Sequence, residues 1–293
     1  MTAMAMLLAP WALAVAVSVP LQRLERAFTP AWSVRLAAGM ALLFAVATAM
    51  SSAAVIALVA EDPTPVGIGL AVLAGTFLAA GCVRATRHLL RAAASLRAGK
   101  VFRGSTARRG DLLVVDDGTP DAFAVPGRGA VVVVTTGLCA ALDRAEFAAL
   151  VRHERAHLRA RHYLYVQAAE LAAALNPLLA GWPRLVRFAA ERDADERAAG
   201  DDRAVLARAL ARAALMCAGS RPPEAATLGA AAGDVVRRVS ALHGPRPGRP
   251  RRWAVLACAA VVVVTVADVG VTTDLVQDRV VPEEGESSVV VIG

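Results

Sequence analysis

Residues Ala122 to His157 read AFAVPGRGAVVVVTTGLCAALDRAEFAALVRHERAH, and the change of pattern inside this stretch sets the expected fold. Up to Leu138 the apolar residues come in short runs punctuated by Pro126, Gly127 and Gly129, the pattern of brief β-strands joined by tight turns. DLLVVDD, at 111–117, reads as a further strand before them. From Ala140 onward the pattern becomes helical. Asp143 is a favourable N-cap and Glu146 follows three residues later, the capping-box spacing, ahead of Phe147, Leu150 and Val151. HERAH, from His153 to His157, therefore falls on a helix that begins near Asp143, directly after a strand pair.

On a helix, His153 and His157 project from one face about one turn apart. That spacing lets both imidazoles reach one tetrahedral zinc ion, with Glu154 beside them as a base for water in an open coordination position. The first of the two middle positions is Arg155, where an uncharged residue is usual. A third ligand has to come from elsewhere. The residue six after His157 is Tyr163 and His162 is one short of it, which excludes the HExxHxxGxxH arrangement. Glu170, Glu191 and Glu196 remain. Glu191 is favoured because Asp195, four residues on, shares its helix face and can hold a ligating imidazole in the right tautomer. Glu170 is the runner-up, while Arg192, Asp193, Glu196 and Arg197 are expected on a solvated charged face. The strand at Ala130 to Thr135 reads equally as a substrate edge and as a buried core strand, and Tyr163 and Tyr165 are expected to pack near a membrane interface, with oxyanion stabilisation as the alternative.

Around this segment the chain is strongly apolar: 57% of its 293 residues are hydrophobic and the mean hydropathy is +0.51. Thr2 to Leu21, Leu36 to Ala60 and Pro63 to Val83 carry no charge, and each is long enough for a hydrocarbon core that needs about 20 helical residues. A fourth run, Trp253 to Thr273, is broken only by Asp268. The first run lacks a basic start and leads into another apolar run, so a retained helix is expected rather than a signal peptide. Leu164 to Trp182 is also apolar, but Gln167, Glu170 and Asn176-Pro177 favour burial over a crossing.

Basic residues follow the alternation of these runs. Arg23, Arg26 and Arg35, the cluster from Arg84 to Lys100, and PRPGRPRR at 245–252 all fall on one side if the N-terminus is outside, whereas EDPTP at 61–65 falls on the other. A positive-inside membrane protein thus accounts for the net charge of +7 without nucleic-acid binding. Cys82, Cys139, Cys217 and Cys258 form no CxxC pair and are expected to be small buried side chains.

The strand–HERAH segment followed by ERDADERAA resembles the integral-membrane gluzincin peptidases, which include HtpX-like and prenyl-protein proteases and the peptidase domain of β-lactam sensor-transducers. The resemblance spans Phe123 to Ala199 and implies zinc on His153, His157 and Glu191, with Glu154 as base and Asp195 in support. The sensor-transducer branch is the nearer match, with three runs before the peptidase, one after, and an Asn-Pro like Asn176-Pro177. His162 stands where that pattern commonly has Asp, and only about 20 residues follow the last run, so β-lactam sensing is not expected of these residues. The expected fold is a multi-span α-helical membrane protein with a cytoplasmic α+β zincin-like (gluzincin) peptidase domain. Residues 1–83 would form three transmembrane helices, 84–252 the cytoplasmic peptidase domain, 253–273 the fourth span and 274–293 a short extracellular tail. The expected activity is endoproteolysis at a bacterial plasma membrane, with a protein substrate such as a winged-helix repressor. The alternatives are membrane-protein quality control and an inactive scaffold that keeps the fold.

Overall fold

The computed structural model describes residues 2–18, 26–220 and 225–280, with backbone alone for 2–5, 217–220 and 225–232. Its elements in chain order are α1 (Thr2–Ser18), α2 (Pro30–Glu61), α3 (Pro65–Ala98), α4 (Lys100–Arg103), β1 (Leu112–Val115), β2 (Ala122–Val125), β3 (Val131–Thr135), α5 (Thr136–Ala141), α6 (Arg144–Ala160), α7 (His162–Leu175), α8 (Trp182–Ala199), α9 (Arg203–Ser220), α10 (Ala225–His243) and α11 (Arg252–Val280). Among the described residues three helical stretches are long and apolar enough to cross a membrane: Pro30–Glu61, Pro65–Arg103 and Arg252–Arg279. Of the first apolar run, Thr2–Ser18 forms α1, and its remainder to Leu21 lies outside the described residues. The third run continues as helix without a break through the basic stretch at 88–98, so that apolar and basic parts form one helix of 34 residues. In the tail, 274–280 extends α11, and 281–293 lie outside the described residues.

The largest core lies between α2 and the helices packed on it, α1, α7, α8 and α11. Phe44 meets Trp182 edge-on with centroids 6.0 Å apart, and the Trp182 indole N–H donates to Ser18 Oγ at 2.8 Å. Asn176-Pro177 has a structural task at this junction. Proline cannot continue α7, and the Asn176 side chain accepts from the Leu178 N–H at 3.0 Å while its amide donates to Thr48 Oγ1 of α2 at 3.1 Å. The end of α7 is thereby fixed to the middle of α2. The apolar stretch from Leu164 packs against α2 and α3, with Ala169, Ala172, Leu179 and Trp182 buried and Leu164 and Leu178 exposed. Tyr165 joins this core. Gly81 of α3 lets the two helices touch: a Cβ there would lie 2.8 Å from the Leu175 carbonyl oxygen, and one turn on, Arg84 Nε donates to the Ala174 carbonyl at 2.8 Å.

The sheet has the order β1-β3-β2, with β1 parallel and β2 antiparallel to β3. Val131–Thr135 is therefore the central strand, buried at every position, and has both edges paired. This excludes the substrate-edge reading of Ala130 to Thr135, because a strand paired on both sides has no free N–H and C=O row to offer. Four consecutive valines suit a strand covered on both faces. Val132 and Val134 pack with Ala149 and Leu150 of α6 and Leu206 of α9, whereas Val131 and Val133 pack with Leu113, Phe102 and Phe123.

The Ala- and Arg-rich stretch after Trp182 forms two helices, α8 and α9, parted at Gly200, whose φ of +54° suits glycine, and Asp202 then caps α9 by accepting from the Val205 N–H at 3.1 Å. Cys82 and Cys139 are exposed and only Cys258 is buried, while the Cys217 side chain is outside the described residues. Exposure along α3 is what a helix facing hydrocarbon shows when no lipid surrounds it.

The close approach at Gly81 gives a direct test. Gly81→Ala should lower the stability of the detergent-solubilised protein by about 1–3 kcal/mol through overpacking against Leu175. Gly69→Ala on the same helix meets nothing within 4 Å and should be neutral or stabilising, as read from thermal unfolding.

Candidate metal centre

The helix that carries HERAH is fixed at both ends. Asp143 accepts from the N–H groups of Ala145 and Glu146 at 2.8 Å each, and Glu146 accepts from the Asp143 N–H at 3.2 Å, which completes the capping box. Glu146 is buried and is neutralised by Arg212 of α9 at 2.7 Å. At the other end Arg161 takes a left-handed conformation with φ 53° and ψ 40°, rare for a residue with a side chain. The chain turns there, and α7 starts with His162 lying back over His157.

His153, His157 and Glu191 of α8 converge, each offering a ligand atom within 4.8 Å of the others. The two Nε2 atoms are 3.1 Å apart, and the Glu191 carboxylate lies 3.4 Å from each of them. Each imidazole is held from behind on its other nitrogen. His153 Nδ1 sits 3.1 Å from buried Asp195, a close ion-pair contact off the ideal hydrogen-bond line. His157 Nδ1 sits 3.0 Å from His162 Nδ1, and His162 Nε2 is 3.0 Å from Asp193. If His157 presents Nε2 to a metal, its Nδ1 carries the proton and donates to His162, whose own Nε2–H then donates to Asp193. Arg197 closes the chain by donating to Asp193 at 2.6 Å.

Several side chains take positions other than the expected ones. Asp193 and His162 are buried, so Asp193 belongs to the support of His157 rather than to a solvated face. Arg192 and Glu196 are mostly buried as well, paired with each other at 2.8 Å and with Arg203. Glu170 does not approach the cluster: it pairs with Arg187 and lies 3.7 Å from His88. Arg155 also points away, holding Asp111 ahead of β1 through two hydrogen bonds of 2.7 and 2.6 Å, so its charge fastens the helix to the sheet.

Sequence reasoning missed Arg238 of α10. Its guanidinium donates to both oxygens of Asp195 at 2.8 and 2.7 Å and lies 2.8 Å from Glu191. In the Arg-rich run around it, nothing distinguishes Arg238 from Arg237, which stacks on Phe188 instead. The departure from Asp at His162 was the one available signal for the His157 support.

These contacts set the charges. Burial alone would lower the His153 imidazole, but Asp195 and Glu191 outweigh it and raise it to about 9. Burial lowers His157 to about 4, with the other charged imidazole adding to the effect. Glu191 and Asp195 stay well below the usual carboxylate range despite burial, because His153 and Arg238 favour their charged forms. Glu154 behaves oppositely. Burial raises it to about 7, and the Ala124 amide on β2 lies beside it. A cavity of about 450 Å³ exposes this group, lined by Phe123 and Ala124 of β2, Glu154, His157, Tyr163 and Glu191.

Three expectations follow. Below pH about 9 the metal-free His153 carries a proton that a metal ion must displace, so metal affinity should fall as pH is lowered, by up to about tenfold per unit. A chelator-competition titration over several pH values reads this out; a pH-independent affinity would contradict it. His162→Ala should weaken metal binding by about 10–100-fold in the same titration, while moving the melting temperature of the metal-free protein far less. Asp195→Ala should lower both, since it strands the buried Arg238 charge.

The sequence profile of peptidase family M48 matches residues 100–256, more than half of the chain and including every residue of this cluster. Over 67 residues the chain is 46% identical to a protein described as a protease HtpX homolog from Acidiphilium cryptum (strain JF-5). That match spans 22% of this chain and 23% of the relative, so less than a quarter of the relative's length is covered. No solved structure matches. On the extent of the profile match, the chain belongs to peptidase family M48.

Proposed function

We propose that the chain is a zinc metalloendopeptidase of the gluzincin type, with His153, His157 and Glu191 as metal ligands, Glu154 as the proton carrier and Asp195 as support for His153. Membership of the family and the apolar helices support a membrane-associated peptidase. The observation that carries the finer reading is the convergence of two imidazole Nε2 atoms and one carboxylate beside a second, protonatable carboxylate in an open cavity. Two nitrogens and one oxygen with room for a further ligand are a donor set that fits catalytic zinc. When bound there, zinc supplies Lewis-acid polarisation of a carbonyl and makes water acidic enough to ionise near neutral pH.

The chain's own residues account for the rest. Glu154 accepts the proton of the attacking water and delivers it to the leaving amide nitrogen, work suited to a carboxyl raised to about 7 by burial. β2 is an edge strand with one side paired to β3 and Phe123 and Ala124 at the cavity, so an extended substrate segment can add to its free side. Tyr163 lines the same cavity and is placed to contact the substrate backbone.

The substrate class is a protein segment reached in extended form, and the basic clusters at 84–100 and 245–252 support a cytoplasmic site by the positive-inside rule. The arrangement of apolar runs and the Asn176-Pro177 junction support the sensor-transducer branch and hence cleavage of a regulator such as a winged-helix repressor. The partial match to a protease HtpX homolog supports a second reading, membrane-protein quality control.

Glu154→Gln should retain metal at wild-type stoichiometry yet lose cleavage of an unfolded test protein by at least 10²–10⁴-fold. Equal cleavage by both proteins would remove Glu154 from its role. Metal loading without cleavage in either would favour the scaffold reading. Mass spectrometry of proteins trapped by the Glu154→Gln variant in cells would decide between a repressor and misfolded membrane proteins.

A further inference from the structure

Away from the metal centre, a cavity of about 500 Å³ opens where α2 begins, between α8 and the segment that links α10 to α11. Arg26, Arg192, Arg249 and Arg251 line it, and among the described residues no acidic one does. Among the described residues no carboxylate pairs with Arg26, Arg249 or Arg251. Arg192 is mostly buried, pairs through Nη2 with Glu196, and has an Nη1 that finds no hydrogen-bond partner among the described residues and lies 4.0 Å from Asp195. The Ser33 hydroxyl at the cavity wall, on a residue 3% exposed, also finds none among the described residues. Four guanidinium groups around one cavity repel one another unless an anion lies among them, and the planar guanidinium fork suits phosphate oxygens. The positive end of the α2 dipole adds to the same field.

A second observation decides what kind of anion fits. At Phe28 and along the Pro250–Arg251 segment this cavity adjoins an apolar groove of about 440 Å³. The groove runs between α2 and α11, lined by Trp32, Leu36 and Met40 on one side and Val255, Cys258 and Val262 on the other. Both helices are long and apolar enough to cross a membrane, so the groove faces hydrocarbon while the arginines sit at its polar end. Free phosphate has no use for such a groove. A diacyl phospholipid needs both parts.

We infer that this paired cavity and groove bind an anionic phospholipid, its phosphate among Arg26, Arg192, Arg249 and Arg251 and an acyl chain between α2 and α11. The inference stands apart from the reading of the metal centre, which shares none of these residues. It also gives α8 a lipid contact one residue from Glu191.

The test uses the full chain in detergent, titrated with phosphatidylglycerol, phosphatidylcholine or inorganic phosphate and followed by native mass spectrometry. Phosphatidylglycerol should bind in clear preference to phosphatidylcholine and should resist displacement by inorganic phosphate. The triple exchange Arg26→Gln, Arg249→Gln, Arg251→Gln should weaken phosphatidylglycerol binding by on the order of a hundredfold, whereas Arg→Lys at the same positions should retain most of it. Ala259→Trp, which fills the groove and leaves every arginine in place, should also weaken lipid binding. The three exchanged arginines are exposed, and Ala259→Trp is an independent variant should the triple exchange fail to fold. Equal retention of the two lipids, or wild-type binding by both variants, would overturn the proposal. Displacement by inorganic phosphate with no effect of Ala259→Trp would also overturn it, by assigning the cavity to free phosphate.

Discussion

Two imidazole nitrogens 3.1 Å apart, both directed at one carboxylate, make an arrangement that loose side chains do not keep. Rotation about either side chain would release it, so the geometry depends on what grips each ring from the far side. His153 is gripped by Asp195, which is itself clamped by Arg238 from a helix 43 residues further along. His157 is gripped by His162, with Asp193 and Arg197 behind it. The two chains of contacts draw on α6, α7, α8 and α10, so the centre is assembled by the packing of four helices. The membrane-type helix α2 takes part at one remove, because α7 and α8 both rest on it.

The charges obey the same logic. In the helices around the centre, buried or half-buried carboxylates have an opposite charge built in: Arg238 against Glu191 and Asp195, Arg212 against Glu146, and Arg203 against Glu196. An Arg-rich composition thus acquires structural meaning in a few places. Arg155 ties helix to sheet and Arg84 ties α3 to α7, whereas Arg26, Arg249 and Arg251 have no carboxylate partner among the described residues.

Much of this was legible because it is local. The capping box at Asp143, the helix bearing HERAH and the short strands before it follow from residues within four positions of each other, and the structure contains them. Glu191 and Asp195 were paired on helical spacing alone, and the fold brings both to the histidines. What sequence could not give was long-range. Strand order decides that β2, not β3, is the edge beside the cavity, and no residue within β3 encodes it. Burial of Asp193 depends on His162 meeting it 31 positions away, and burial of Arg238 depends on how α10 docks. The break at Gly200 was a missed turn signal, a glycine followed by a capping Asp202.

The unbroken length of α3 has a mechanical side. At about 1.5 Å per residue its 34 residues make a rod of about 50 Å, well beyond a hydrocarbon layer of about 30 Å. Only the stretch up to Val83 is apolar enough for such a layer, and the basic stretch from Arg84 carries the same helix on beyond that length. Gly81 and Arg84, where the apolar and basic parts meet, are also where the rod is joined to the end of α7, and the other end of α7 is His162. One helix thus runs from the polar–apolar boundary of the rod to the residue that lies against His157.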